Sequence, residues 1–159
     1  MKRIGHTRID DRLIHGQIVA SWIQSLGCRT IVVADDEAAG DSLQLMLLEL
    51  AVPPGIELKV LSIADAAAFI TGDKADNAKV LLILRGVESA LALIRQGVKM
   101  DEINVGNVSA NAQRTKYSKS IFLDSQDVAH FKELAAAGIH LEVRVVPGEK
   151  AVDLLSMIK

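Results

Sequence analysis

The chain has 159 residues, half of them apolar and 24% charged, with a formal net charge of −2. It can bury the core of one domain, and it offers no broad basic field for nucleic acid or an anionic lipid surface. Its one cysteine, Cys28, allows neither an internal disulfide nor a Cys-rich metal cage, which fits a reducing compartment and points to the cytoplasm.

In chain order, residues 3–8 read as a short strand, followed by the charged residues Arg8, Asp10, Asp11 and Arg12. No apolar run there is long enough for a signal peptide or a membrane span, so any membrane role is expected through partners. Ile18, Val19, Trp22, Ile23 and Leu26 then fall at helical spacing, with Gly27 placed for a left-handed cap. A strand over 30–34 precedes a helix over 41–52, which Pro53-Pro54-Gly55 stops because proline has no N–H to continue it. Strand 56–61, helix 64–70, strand 80–84 and helix 87–96 follow, the last ending at Gly97.

Strands are expected at 103–105 and 120–123, separated by the long polar stretch 106–119, then a helix over 126–137 ending at Gly138. In 139–145 the apolar Ile139, Leu141, Val143 and Val145 alternate with His140, Glu142 and Arg144, predicting one buried and one wet face near a sheet edge. A helix over 150–158 after Pro147-Gly148 completes the series. The alternation predicts an α/β fold: one domain over 1–159, an open, mostly parallel twisted sheet of about seven strands with helices on both faces.

The densest polar cluster is Arg8-Ile9-Asp10-Asp11-Arg12-Leu13-Ile14-His15-Gly16-Gln17, between the first strand and the first helix. Open α/β sheets gather ligands at strand carboxyl ends, where helix N-termini present free N–H groups and partial positive charge. His15 would stand at the helix start beside Gly16, whose missing side chain lets a group approach the backbone. A neutral imidazole nitrogen is a good nucleophile. Arg8 and Arg12 supply forks for phosphate oxygens, and Asp10 or Asp11 could hold one ring nitrogen. Pattern alone leaves open the plainer reading, in which the acids cap turns, the arginines are solvated and the histidine is structural.

Asn104, Gly106 and Asn107, at another strand's carboxyl end, form a second candidate group that could offer amide or backbone donors, a plain turn being the alternative. Asp35-Asp36-Glu37 also follows a strand and reads best as a helix cap. His6, His130 and His140 lack charged surroundings and read as structural. No G-x-x-x-x-G-K-[ST] loop and no G-x-G-x-x-G motif is present, so neither ATP nor NAD is expected, and no metal or other cofactor is called for.

The segment from Arg8 to Gln17 resembles the active-site segment of enzyme IIB proteins of the mannose, fructose and sorbose family of sugar phosphotransferase systems. The resemblance continues through 31–39, Pro53-Pro54-Gly55, Gly97-Val98, 103–107 and 143–147. It implies a seven-stranded, mostly parallel sheet and a phosphohistidine at His15, with Arg8, Asp10, Asp11 and Arg12 on the family's flanking charged positions. It also implies a cytoplasmic protein that takes its phosphoryl group from a IIA phosphocarrier and delivers it to a sugar at membrane IIC and IID components, peripherally associated with them. Homo-oligomerisation is left open. Leu13 and Ile14 would suit an apolar rim at a transient interface, ordinary core packing being the alternative. The sequence departs from the family after Asn107, with Val108 and Ala112-Gln113 where members often carry Met and a Gly-Lys pair, so this loop is expected to meet a partner differently. The rival reading is a regulatory or anion-binding module with a receiver-like phosphorylation site at Asp35 or Asp36.

Overall fold

The computed structural model describes residues 3–72 and 79–158. Strands are β1 (Arg3–Asp10), β2 (Thr30–Ala34), β3 (Glu57–Leu61), β4 (Lys79–Leu84), β5 (Glu102–Asn107), β6 (Thr115–Lys116), β7 (Phe122–Leu123), β8 (His140–Val143) and β9 (Val152–Asp153). Helices are α1 (Gly16–Leu26), α2 (Asp36–Ala39), α3 (Ser42–Ala51), α4 (Ile63–Thr71), α5 (Val87–Arg95), α6 (Ser125–Ala136) and α7 (Leu154–Met157).

Seven strands form one sheet in the order β3-β2-β4-β1-β5-β8-β9, parallel throughout except for β9, which runs antiparallel to β8. The central strands are continuous apolar runs, TIVVA in β2 and KVLLIL in β4, as burial on both faces requires. Their alternate residues feed two cores. Ile31, Val33, Leu81 and Ile83 pack with Val19, Trp22 and Ile23 of α1 and Leu48 of α3. Val32, Ala34, Leu82 and Leu84 pack with α4, α5, Phe131 and Leu134 of α6, and Leu154 of α7. Helices thus cover both faces. Gly27 closes α1 at φ 68° and donates to Ile23 O, and Asp41 caps α3 through the Leu43 and Gln44 N–H groups.

The outer strands depart from the periodicity. Only Phe122–Leu123 of the 120–123 run forms a strand, and it pairs with β6 in a separate two-stranded ribbon. The seventh strand of the sheet is β9, from a stretch that reads as helical. The Pro147-Gly148 turn brings the chain back along β8, where Val143 pairs Val152 and Glu142 pairs Asp153, so tertiary pairing overrides local periodicity and only Leu154–Met157 remains helical. The strand expected over 139–145 is β8, which stops at Val143, and Glu142, on the side expected to be wet, is buried.

That side is covered because α1 lays Trp22 over it. The indole Nε1 donates to Val145 O at 3.0 Å. One ring contact is a stack on His6, with centroids 4.3 Å apart, and the guanidinium groups of Arg144 and Arg8 lie 5.0 and 5.7 Å from the ring centroid. Burial lowers His6 from 6.5 to about 4, with the Asn104 amide opposing and the Arg8 and Arg144 charges adding to the shift. Between those values the unfolded chain binds a proton that the folded chain does not, so stability is full above pH 6.5 and falls as pH drops toward 4. Urea unfolding at pH 7 and pH 4.5 is expected to show up to about 2 kcal/mol more acid loss in the native protein than in His6→Phe, which keeps a stackable ring. Equal losses would assign the acid sensitivity to other groups.

Candidate functional site

β1 ends at Asp10, and a five-residue turn leads into α1 at Gly16. The turn reverses tightly, with Leu13 N donating to Asp10 O at 2.9 Å and Leu13 at φ 62°, a conformation leucine rarely adopts. What holds it there is burial. Leu13 and Ile14 both sit in the core under α1, so the ordinary packing reading applies to them and the exposed-rim reading does not.

Anchored by those two side chains, the chain turns His15 outward. It is exposed and occupies the N-cap position with extended backbone, its carbonyl accepting from Val19 N at 2.9 Å. No side chain caps α1, and its first turn holds no acid, so the N–H groups there remain available to an anion. Gly16 lies against the end of α3, where an added Cβ would stand 3.4 Å from Ala51 O. Gln17 is exposed on the same turn.

The charged residues form a different arrangement from the expected phosphate fork. Arg8 is 1% exposed and its guanidinium is committed, with Nη1 to Asn104 Oδ1 at 2.6 Å and to Arg144 O at 3.2 Å, and Nη2 to Asp10 Oδ2 at 3.3 Å. It is a buried support, not an open ligand. Asp10, equally buried, takes Arg12 by its backbone N at 3.0 Å, Nε at 2.9 Å and Nη2 at 2.8 Å. Arg12 is therefore held two-point while 36% exposed, with Nη1 uncommitted among the described residues. The hydrogen bonds from Asp10 raise the Arg12 pKa, whereas burial lowers that of Arg8 against the opposing pull of Asp10.

Neither carboxylate holds the His15 ring. Asp10 is taken by the two arginines, and Asp11 accepts from Asn107 Nδ2 at 2.9 Å, Ser109 N at 2.7 Å and Ser109 Oγ at 2.9 Å. Asn107 thus ties the 106–119 stretch to the His15 turn instead of offering its amide to a ligand. Asn104 is fully buried, its Nδ2 donating to Glu142 Oε1 and to Arg144 O, so it too faces inward. Gly106 is the extra residue of a bulge, since Ile9 pairs Val105 but Asp10 pairs Asn107. A Cβ there would overlap the Arg8 guanidinium, so Gly106 exists to make room for Arg8.

Asp35 is mostly buried, caps α2 through Ala38 N, and is gripped by Arg85 through Nε at 3.1 Å and Nη2 at 2.8 Å. The capping reading holds. The receiver-like reading meets a carboxylate already occupied, by a cation 50 residues away that local sequence does not reveal. Asp36 likewise accepts from Ile63 N. Between these elements lies a cleft of ≈ 690 Å³ at the strand carboxyl ends, lined by Arg12, Arg85 and Arg114 together with acids including Asp11 and Asp127. Arg114, absent from the sequence candidates, donates to Ser109 O at 2.9 Å and pairs Asp127 at 3.1 Å.

Comparison with known proteins places this geometry. The sequence model of the family described as "PTS system sorbose subfamily IIB component" matches residues 4–159. The sorbose-specific EIIB component of Lacticaseibacillus casei is 32% identical over 151 residues, covering 95% of this chain and 92% of that protein. The mannose-specific EIIAB component of Escherichia coli K12 is 35% identical over 158 residues, 98% of this chain but 49% of that longer protein. The crystal structure of the IIBSor domain of the sorbose permease from Klebsiella pneumoniae superposes with a TM-score of 0.94 at 31% identity, covering 98% of this chain and 96% of that one.

Two substitutions measure the support beneath Arg12. Gly106→Ala is expected to cost roughly 1–3 kcal/mol by denaturant titration, because the methyl must displace Arg8. Asp10→Asn, which leaves the buried Arg8 without its counter-charge, is expected to cost about 3 kcal/mol or more. Unchanged midpoints in both would mean that Arg8 is free to move.

Proposed function

This chain belongs to the sorbose-subfamily IIB components of the phosphotransferase system, phosphotransferases of sugar uptake that work with other components of that system, and we propose that its phosphoryl carrier is His15. The observation that carries the reading is the placement of His15, exposed at the uncapped N-terminus of α1 just past Arg12. Of the other histidines, His6 is stacked under Trp22 and His140 opens β8, at the amino ends of the parallel strands. Among the described residues no group of His, Cys, Asp and Glu could hold a metal ion, and no helix is long and apolar enough to cross a membrane.

In the proposed cycle the His15 imidazole attacks the phosphorus of a phosphohistidine on a IIA phosphocarrier. The donor P–N bond breaks as a new one forms. A sugar hydroxyl at membrane IIC and IID components then attacks in turn, exchanging the P–N bond for P–O as the His15 imidazole leaves with the bonding pair and takes up the hydroxyl proton. Each transfer needs alignment and neutralisation of oxygen charge, which the Arg12 Nη1 edge and the α1 N–H groups supply. The preset grip of Asp10 means that Arg12 need not be ordered at the moment of transfer. The fusion of EIIA and EIIB in the mannose-specific relative supports the IIA partnership, and the whole chain acts as one IIB domain peripheral to the transporter, in the cytoplasm.

Phosphorylation with phosphoenolpyruvate, the general phosphotransferase components and cognate IIA is expected to label His15 alone, in an acid-labile, alkali-stable linkage. His15→Ala should lose the label and keep its unfolding midpoint, because an exposed residue contributes little packing. Label lost in alkali and to hydroxylamine, and abolished by Asp35→Asn, would instead establish the aspartate reading. Arg12→Lys is expected to slow single-turnover transfer from IIA roughly ten- to a hundredfold, the loss of a charge-assisted contact of about 1.5–3 kcal/mol. A native rate in that variant would leave the helix terminus as the sole phosphate support.

A further inference from the structure

One surface is left without a role by the chemistry at His15. Leu43, Met46, Leu47 and Leu50 of α3 are 59%, 50%, 54% and 76% exposed. Their spacing of three, four and seven residues puts them on one helix face. They are the four most exposed of the large hydrophobic side chains described. The inner side of α3 is served by Leu48. The outer stripe ends at Leu50, next to Ala51, whose carbonyl lies against Gly16, so its end is close to the corner that presents His15.

Along the chain, the charge flanking the stripe is of one sign. Between residues 35 and 52 the chain carries Asp35, Asp36, Glu37, Asp41 and Glu49 and no Lys or Arg. Asp35 is neutralised by Arg85, but Asp36, Glu37 and Glu49 are exposed. An anionic lipid surface would be repelled by this rim. A second copy paired about a two-fold axis would set like charges against each other. A phosphorylated donor arrives with a dianion, which the acidic side repels and the Arg12 side attracts. The acceptor substrate is a neutral hydroxyl and brings no such penalty. Cytoplasmic loops of membrane proteins carry an excess of Lys and Arg, the complement to an apolar helix face with an acidic border.

We infer that the α3 stripe is the seat for the membrane acceptor complex, received in a cytoplasmic apolar groove bordered by Lys and Arg. The inference rests on the phosphotransfer reading of His15 and adds which partner takes which side of it. The donor approaches over Arg12, the acceptor over α3, and both end at His15.

The test compares the native chain, Leu47→Ser/Leu50→Ser and Glu49→Lys for retention on inverted membrane vesicles carrying the cognate IIC and IID components, and on vesicles of the same lipids without them. In parallel, the rate of His15 labelling by phosphorylated IIA is measured in solution. Retention on the transporter vesicles is expected to fall at least about tenfold in the double variant, and to weaken in Glu49→Lys with a reduced dependence on salt. Labelling by IIA should stay within about twofold of native, and thermal unfolding, for such exposed positions, should not move. Unchanged retention overturns the inference while leaving His15 as the carrier. So does a matching loss of labelling by IIA, which gives the stripe to the donor, or equal retention on bare lipid. A native dimer that the double variant abolishes, seen in sedimentation equilibrium, gives the stripe to a second copy. Failure of the native chain to be labelled at His15 overturns both this inference and the phosphotransfer reading.

Discussion

The buried pair of Arg8 and Asp10 is the constraint from which the rest of the site follows. A guanidinium 1% exposed survives only if its charge is met, because an unpaired buried ion costs several kcal/mol. Asp10 meets the charge at Nη2, and Asn104 of β5 and the Arg144 carbonyl just past β8 take Nη1, while Nε has no hydrogen-bond partner among the described residues. The register sets Arg8 beside Asn104 and Asn104 beside Glu142, making a polar ladder across β1, β5 and β8 inside an otherwise apolar sheet. The ladder closes on Arg144, whose carbonyl accepts from both Arg8 and Asn104 and whose side chain donates to Glu142 at 3.1 Å. Room for it comes from the Gly106 bulge, and a roof from Trp22. Because Asp10 is immobilised from below, its outward oxygens hold Arg12 in one orientation from above. A surface arginine, ordinarily free to sample many rotamers, becomes part of the rigid frame.

The turn that follows divides its residues between anchoring and exposure. Leu13 accepts a left-handed backbone, a strain of order 1–3 kcal/mol, and burial of Leu13 and Ile14 against the α1 core offsets it. The reward is a reversal short enough to deliver His15 to the helix start with its ring in solvent. A capping Ser or Asp at this position would stabilise α1 by about 1 kcal/mol, but would fill the N–H groups an anion needs. The open end is a local cost in stability borne at the proposed carrier site.

The sequence made the parallel sheet, the two helical layers and the position of His15 legible, because each is written in local periodicity and in one compact motif. It did not disclose what Arg8 and Asn104 do, since their partners lie 96 and 38 residues away and meet only through strand order. Alternation in β8 correctly put Glu142 opposite Leu141, yet solvent is not what lies on that side. Periodicity reports which residues share a face and is silent on what covers it. The same limit explains β9. Its two residues are chosen by the edge β8 leaves open after the Pro147-Gly148 turn, a condition no window around Val152 contains. Gly106 carried a signal of a kind, a glycine inside a strand run, which marks a bulge or a close approach. It turns out to be both.

The exposure of the α3 stripe is itself enforced by this framework. Asp35 follows β2 and caps α2, and Arg85, just past β4, grips it while Nη2 also donates to Gln44 Oε1 on α3 at 3.0 Å. Gln44 in turn donates to Glu37 and Asp41, binding α2 and α3 into one unit. Rotating α3 to bury Leu43, Met46, Leu47 and Leu50 would withdraw Gln44 from Arg85 and pull Leu48 out of the core. The ion pair that occupies the Asp35 carboxylate therefore also fixes an apolar helix face outward. Slack packing would have let that face collapse at a gain of roughly 25 cal/mol per Å² buried; a charged bracket holding it open is a structural reason to treat the face as a surface made to be covered.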